Sequence, residues 1–435
     1  MTVMKQTENT PRSIASDLLT PLGAYLRLRG EGSASFLLES VEHGRLGRYS
    51  LVGYGTRIVD FDEAESLGEP VVGYLSYDYV ARLEPTVSLP DDGPGDPESQ
   101  FIVPETLVRF DHARGVAEIV YGDADETIAL LLGPRPEMPN GGGKRGPLRR
   151  YPDQATYEKW VRRSKAYIKA GDAFQIVVSQ RAERPTSASA LDLYRALRRI
   201  NPSEYLFLLE LPDDLALVGS SPETVVKCEG IHASLNPIAG SIKPGEGDEQ
   251  ALLSSEKDRA EHVMLVDLGR NDLSRVCLPG SVRVERFMRP ERFSHITHLI
   301  SEVVGELQPG TTPFDLLRAC FPAGTVSGAP KVRAMQIISE LERYRRGIYA
   351  GAVGYFDPAT SSFDTCIAIR SLVLSDGVAH LQAGAGLVAD SDPRSEHEEC
   401  LNKLAALEAA IELAEAERGA GLCPLEALPG QEGEK

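Results

Sequence analysis

The chain has 435 residues, 42% hydrophobic and 25% charged, an ordinary globular composition with apolar material for two or three domains' worth of core. Lys and Arg number 46 against 64 Asp and Glu, a net charge of −18 that repels nucleic acid and anionic membranes, so an anionic substrate must be drawn in locally by a metal or a few placed cations. Six scattered cysteines without CxxC spacing, a polar start over residues 1–20 and no apolar run near the ~18 residues of a membrane helix point to a soluble, cytoplasmic protein.

In chain order, a loose tail of about 20 residues leads into a helix. Short strand patterns follow at 35–41, 48–54, 57–61 and 71–79, and those at 106–110 and 116–121 flank the hairpin turn Asp111-His-Ala-Arg-Gly115. Gly and Pro crowd residues 132–147 and mark a linker. It divides an N-terminal region, 1–140, from a larger domain, 148–420, with a disordered tail at 421–435. The N-terminal strands remain free to complete a sheet begun elsewhere. Beyond the linker, helices are expected at 153–170, 190–200 and 258–268. Strands are expected at 174–180, 215–219 and 224–228, the last two around the turn Ser220-Ser-Pro-Glu223, and at 281–287, 295–304, 349–356, 364–374 and 378–387. A long helix over 393–419 carries Leu404, Leu407, Ile411 and Ala414 as its apolar stripe. Strands joined mostly by hairpins, with irregularly placed helices, imply an α+β fold of packed, antiparallel-rich sheets flanked by helices.

The segment Phe321-Pro-Ala-Gly-Thr-Val-Ser-Gly-Ala-Pro-Lys331 opens onto a helix marked by Val332, Met335, Ile338 and Leu341. Pro330 suits the first helical turn, Gly324 and Gly328 let backbone approach a ligand, and helix N-terminal N–H groups favour an anion. The same composition suits a plain turn, and its spacing is not that of a phosphate-binding loop.

Two carboxylate pairs stand three apart on expected helices: Asp258 with Glu261, and Glu396 with Glu399. Two such faces can meet around a hard cation such as Mg2+, or each can be a solvated acidic face. His298 shares a strand side with Ile296 and Ile300, as a core histidine or as a general acid or base. Gln382-Ala-Gly-Ala-Gly-Leu387 offers backbone donors or marks a close crossing. Arg370 is an unusual charge for a sheet and suits a carboxylate, and Ser221-Pro-Glu223 puts an acid at a turn.

Together these residues resemble the chorismate-utilising enzymes, and among them the large subunits, or component I, of anthranilate synthases. The motifs are Gly171-Asp-Ala-Phe-Gln-Ile-Val-Val-Ser-Gln-Arg181, Ser221-Pro-Glu223, Asn236-Pro-Ile-Ala-Gly240, and Arg259 to Asp272. The Phe321–Lys331 loop, Gly351-Ala-Val-Gly-Tyr355, Ile369-Arg370, residues 382–386 and Asn402-Lys403 complete them, and Phe36-Leu-Leu-Glu-Ser40 and Gly73-Tyr-Leu-Ser-Tyr-Asp78 match more weakly.

The resemblance implies Mg2+ held by Glu261 and Glu399, with Asp258, where the family usually has Glu, and Glu396 reaching it through water. It places Gly240, Ser241 and Lys403 at the ring carboxylate of chorismate, and Tyr349, Arg370, Gly384, Ala385 and Gly386 at its enolpyruvyl side chain. His298 and Thr325 fall near the reacting ring, and Glu223 becomes the acid for the leaving 4-hydroxyl. Gln175 stands where isochorismate-forming relatives carry a Lys base, and Ala239 where aminodeoxychorismate synthases commonly carry Lys, so amination by ammonia to anthranilate is implied. No cysteine has Gly on both sides at the spacing of a glutaminase nucleophile, so the chain uses free ammonia or receives it from a separate glutamine amidotransferase subunit; the resemblance implies the second, and with it a hetero-oligomer. Glu39 and Ser40 match a tryptophan feedback site, with Glu204, where the family typically has Pro, and the adjoining Tyr205 and Leu206. Aminodeoxychorismate or 2-amino-2-deoxyisochorismate synthase is an alternative of the same fold. A non-catalytic amino-acid sensor is an alternative of another class.

Overall fold

The computed structural model describes residues 12–420 except 43–44, 135, 140, 142, 243–244, 246 and 293–296. The tail expected at 421–435 lies outside the described residues. Two antiparallel sheets form the centre. The first, of twelve strands, runs in the order Arg12–Ala15, Val116–Tyr121, Thr106–Asp111, Arg45–Gly55, Ala34–Glu42, Tyr205–Glu210, Ala216–Ser221, Ser371–Ser375, Val378–Leu387, Gln175–Pro185 and Gly328–Ala329, with Arg149–Tyr151 beside Gln175–Pro185. The second, of ten strands, runs Ile238–Ile242, Thr297–Glu306, His232–Leu235, Thr224–Glu229, Ser362–Ile367, Ala352–Asp357, Val71–Leu75, Ser99–Val103 and Arg57–Val59, with Arg283–Arg292 beside Thr297–Glu306. Segments on either side of the 132–147 linker pair with each other in both sheets: Leu38 faces Phe207, and Gly73 faces Gly354.

The two sheets bury a shared layer that includes Phe36, Tyr74, Phe207, Leu209, Leu217, Val353 and Cys366. The outer face of the first sheet is covered by helices Pro21–Leu28, Ala190–Ile200 and Pro393–Ala420 through Tyr25, Leu193, Tyr194, Leu404 and Ile411. Helices Phe61–Leu67, Glu256–Ser274 and Pro313–Cys320 cover the second through Phe61, Val266, Leu273 and Phe314. Helix starts follow local chemistry. Ser189 and Asp192 cap Ala190–Ile200 reciprocally, and Thr312 and Asp315 do the same for Pro313–Cys320.

Two expected elements change meaning. The strand expected over 364–374 is two strands in different sheets, Ser362–Ile367 and Ser371–Ser375, and Arg370 sits between them in a left-handed conformation (φ 49°). Likewise Ala216–Ser221 and Thr224–Glu229 belong to different sheets, so Pro222-Glu223 is a passage between layers instead of a hairpin turn. Sequence periodicity sees an extended run in each case; which layer the run joins depends on distant partners. The expected tail also contributes a short edge strand, Arg12–Ala15.

Phe207 is 1% exposed within the layer between the sheets. Phe207→Ala is expected to reduce unfolding free energy by about 3–5 kcal/mol, read from urea unfolding. A loss under ~1 kcal/mol would show that this layer relaxes around the missing ring.

Candidate active site

At one end of the sandwich the two sheet passages, helix Glu256–Ser274, helix Pro393–Ala420 and the Phe321–Lys331 loop enclose a cavity of about 500 Å³. Its lining includes Glu223, Gly240, Asp258, Glu261, His298, Thr325, Tyr349, Arg370, Gly384, Gly386, Glu396, Glu399 and Lys403. Residues separated by up to 180 positions thus share one space. One expected residue does not line it. Ala385 is fully buried with Tyr157, Val161 and Val178 on the other side of its strand, as the period-2 alternation between Gly384 and Gly386 requires, so it can offer only main-chain atoms. Ser241 lies in the strand Ile238–Ile242, and its side chain lies outside the described residues.

The acidic side is built by two helices. Ser255 caps Glu256–Ser274, its hydroxyl accepting from the Asp258 N–H at 3.3 Å, and this sets the turn that carries Asp258 and Glu261. Glu261 Oε1 accepts from Gln175 Nε2 at 2.8 Å. Burial pushes the Glu261 carboxyl up, the Gln175 hydrogen bond and Lys257 oppose this, and Asp258 and Glu399 add to it. Glu396 is raised by burial and by Glu399, against hydrogen bonding from Ser391. Glu399 is paired with Lys403 Nζ at 2.8 Å, and Lys403 also donates to Gly384 O at 2.8 Å. Gly386 leaves room for this arrangement, because a Cβ there would stand 2.7 Å from Gln175 Nε2.

Among the described residues no three His, Cys, Asp or Glu side chains converge tightly enough to make a closed metal cage. The donor set is nonetheless all oxygen, and its carboxylates repel one another. That suits a hard cation which keeps several of its waters and takes only one or two protein carboxylates.

The same lining also carries cationic and aromatic groups. Arg370 reaches the cavity from its sheet passage, where burial works against its charge and Tyr349 and Glu399 favour it. His298 Nδ1 lies 3.1 Å from Gly240 O. A carbonyl only accepts, so Nδ1 carries the proton and Nε2 the lone pair of the neutral ring. Burial, together with Arg370, lowers the His298 pKa despite that bond, which favours the neutral form. Gly240 adopts φ 73° at a strand irregularity between Ala239 and Ser241, beside the Asp258 side chain.

Burial lifts Glu223 to about 7. Thr325 and Lys403 already hold it below what burial alone would give, and Thr325 Oγ1 is buried without a well-formed hydrogen bond among the described residues.

The Phe321–Lys331 loop is not the anion cradle its composition suggested. The Val326 and Ser327 N–H groups bond to Ala323 O and Gly324 O, and Lys331 Nζ is held by Asp272 at 2.7 Å and Cys320 O at 2.9 Å. A Cβ on Gly324 would meet Leu268 at 2.1 Å, and one on Gly328 would meet Gln175 O at 2.2 Å, so these glycines admit neighbouring protein rather than ligand. Pro330 stands just before the helix Lys331–Glu342. The loop serves as a wall, presenting Thr325 and Val326.

The side chains of the five residues associated with tryptophan do not all face the same side of their strand pair. Glu39 and Leu206 face each other across the strand pair on the side covered by helix Ala190–Ile200. Glu39 accepts from the Tyr194 hydroxyl, lies 3.3 Å from Arg198 Nε, and keeps one buried oxygen without a partner. Tyr205 points the other way, its hydroxyl 2.8 Å from Thr224 Oγ1 and 3.1 Å from Asp364. Ser40 bonds to Tyr49 O at 3.1 Å, and Glu204 immediately precedes the strand.

Lys257 and Gln382 also line the cavity and were not singled out from sequence as site residues. Lys257 could have been: it stands four before Glu261, on the same face of one helix.

Residues 35–409 match the family of chorismate binding enzymes. The chain is 40% identical to an anthranilate synthase component 1 from Thermus thermophilus, over 93% of this chain and 98% of that protein. It is 42% identical to one from Streptomyces coelicolor, over 92% of this chain and 88% of that protein. The crystal structure of anthranilate synthase component I from Streptococcus pneumoniae is similar with a TM-score of 0.74 and 33% identity, covering 92% of this chain and all of that one.

If Glu223 is the proton donor, its carboxyl is protonated below about 7 and ionised above it, so the acid form is lost as pH rises through that value. At saturating ammonia, turnover of chorismate should fall along an alkaline limb near 7. Glu223→Gln should lose roughly 10²–10⁴-fold in rate together with that limb. A wild-type profile that stays flat into strongly alkaline pH would remove Glu223 from the role.

Proposed function

The chain belongs to the chorismate binding enzyme family, and from that premise we propose that it converts chorismate and ammonia into anthranilate, pyruvate and water with Mg2+ as cofactor, the first step of tryptophan synthesis. The observation that carries this reading is the one cavity whose lining brings together Glu261, Glu399, Arg370, Glu223 and His298. Such a space suits a small dicarboxylate ring.

Chorismate binding enzymes generally use a metal, and Mg2+ is the cation proposed here, held by Glu261 and Glu399 with Asp258 and Glu396 acting through water. It would supply positive charge for the ring carboxylate. Gly240, Ser241 and Lys403 flank that carboxylate. Arg370, Tyr349, Gly384, Gly386 and the main chain of Ala385 hold the enolpyruvyl side chain, where a guanidinium gives bidentate capture. Ammonia forms the new bond at C2 while the C4–O bond breaks, and Glu223 gives its proton so that the hydroxyl departs as water. The added nitrogen loses one proton to become the amine; His298 then accepts the C2 proton through Nε2, the C3–O bond breaks as the ring becomes aromatic, and the departing enolpyruvate takes up a proton at its methylene carbon and leaves as pyruvate. Thr325 lies on the wall beside these atoms.

Ammonia is favoured over water because Gln175 is an amide committed to Glu261 and cannot serve as a base. The relatives are named as one component of a synthase, which supports a separate glutamine amidotransferase subunit as the ammonia source and a hetero-oligomer. Among the described residues no helix is long and apolar enough to cross a membrane, and a cytoplasmic setting is proposed. Tryptophan feedback is proposed through Glu39 and Ser40 of the N-terminal region, residues 1–140, together with Glu204, Tyr205 and Leu206 of the larger domain, whose strand pairs with theirs.

The purified chain, given chorismate, Mg2+ and an ammonium salt at mildly alkaline pH, is expected to yield fluorescent anthranilate. A non-aromatic amine would favour the aminodeoxy products instead, and no turnover would overturn the enzymatic reading. Added tryptophan should lower the rate; an unchanged rate removes the feedback proposal. Glu261→Ala and Glu399→Ala should abolish Mg2+-dependent turnover, and Glu396→Ala should cost about 10–100-fold. Turnover in Glu261→Ala equal to wild type would show that the metal assignment is wrong.

A further inference from the structure

Behind the ring-facing wall lies a buried ion pair that does not itself line the cavity. Arg346 is 4% exposed and Glu342 8%. The guanidinium donates from Nε to Glu342 Oε2 at 2.9 Å and from Nη2 to Glu342 Oε1 at 2.6 Å. Its remaining donors go elsewhere: Nη1 to Val326 O and Nη2 to Val177 O, each at 2.7 Å. Val326 belongs to the Phe321–Lys331 loop and Val177 to the strand Gln175–Pro185, and both line the cavity. On the acidic side, Glu342 Oε1 accepts from Ser179 N at 2.8 Å and from Ser179 Oγ at 2.9 Å. Ser179 Oγ in turn accepts from Gln382 Nε2 at 2.8 Å, and Gln382 is a third lining residue. The guanidinium also lies 4.8 Å from the Tyr77 ring centroid and 5.7 Å from that of Tyr349, a fourth.

We propose that Arg346 and Glu342 are positioning residues that lock the Thr325–Val326 wall, the strand Gln175–Pro185, Gln382 and Tyr349 into one rigid frame on the ring-facing side of the chorismate site. This rests on the proposed function for the identity of the ligand, but not for the frame itself. A buried ion pair is weak evidence for stability, since desolvation offsets much of its attraction. Here the pair's outward donors reach carbonyls of two separate cavity walls, and its acceptor binds Ser179 on the same strand as Val177, whose hydroxyl carries the link on to Gln382 in the strand Val378–Leu387. A planar guanidinium can span such divergent acceptors at once, whereas an ammonium on a single stem cannot.

Arg346→Lys keeps the charge and removes that geometry. In folded protein, kcat for chorismate should fall about 100-fold, the scale of a misplacement near 1 Å. Mg2+ affinity, measured by calorimetry on the metal alone, should stay at the wild-type value, because Glu261 and Glu399 stand on other helices. Amide exchange over residues 324–328 should quicken while the remaining sheet stays protected. Wild-type kcat together with wild-type exchange in folded Arg346→Lys overturns the proposal. Should Arg346→Lys fail to fold, Ser179→Ala removes the hydroxyl that joins Glu342 to Gln382 while the Ser179 N–H bond to Glu342 remains, and should raise KM or lower kcat with little change in Tm; wild-type kinetics there overturn it as well. Quickened exchange in a protein whose wild type leaves chorismate untouched would sustain the frame and overturn the functional reading.

Discussion

Two main-chain hydrogen bonds hold the site end of the molecule together. Ile367 N–H donates to Glu223 O at 2.9 Å, and Ser220 N–H donates to Arg370 O at 3.1 Å. Each joins one passage between the sheets to the other. At these passages the chain leaves one layer and enters the next, so two residues that could not both project from a regular strand are brought to the mouth of the sandwich side by side. One is an acid whose pKa is lifted by burial, the other a buried cation. The helices and the Phe321–Lys331 loop then close the space around them.

Charge governs the rest of the cavity. Asp258, Glu261, Glu396 and Glu399 would repel one another in a confined space, and only part of that repulsion is offset within the protein. Glu399 has Lys403 at 2.8 Å, while Glu261 has only the neutral amide of Gln175 as a hydrogen-bond donor. A chain with a net charge of −18 thus places Arg370, Lys257 and Lys403 in the same cavity lining as these four carboxylates, a mixture of charges suited to an anionic ligand that binds together with a cation.

Much of the architecture was legible in local pattern. The helix at 190–200, the hairpin turn at 111–115 and the strand at 378–387 stand where alternation, capping residues and turn residues place them. The carboxylate pairs were legible too, because a spacing of three on a helix fixes a shared face without knowledge of anything else. Other features were not. Glu223 and Arg370 sit in runs that look like a hairpin turn and a continuous strand, and nothing nearby says that the chain changes layers there. The glycines of the Phe321–Lys331 loop were legible as sites of close approach. What approaches them, Leu268 and the carbonyl of Gln175, comes from other parts of the chain. Ala385 was misplaced in the lining for a reason visible locally: between two glycines that face the cavity, it must face away.

The sequence by itself determined the α+β character, the faces of the two acidic helices and the residue types needed for a carboxylate-binding, metal-assisted site, because each of these depends on spacing within a few residues. Tertiary structure alone decided that the two acidic faces share one cavity, that Arg370 and Glu223 meet at adjoining passages, and that Arg346 and Glu342 brace the wall from behind. Those relations depend on strand partners a hundred or more residues away, and the pairing of distant strands has no counterpart in local periodicity.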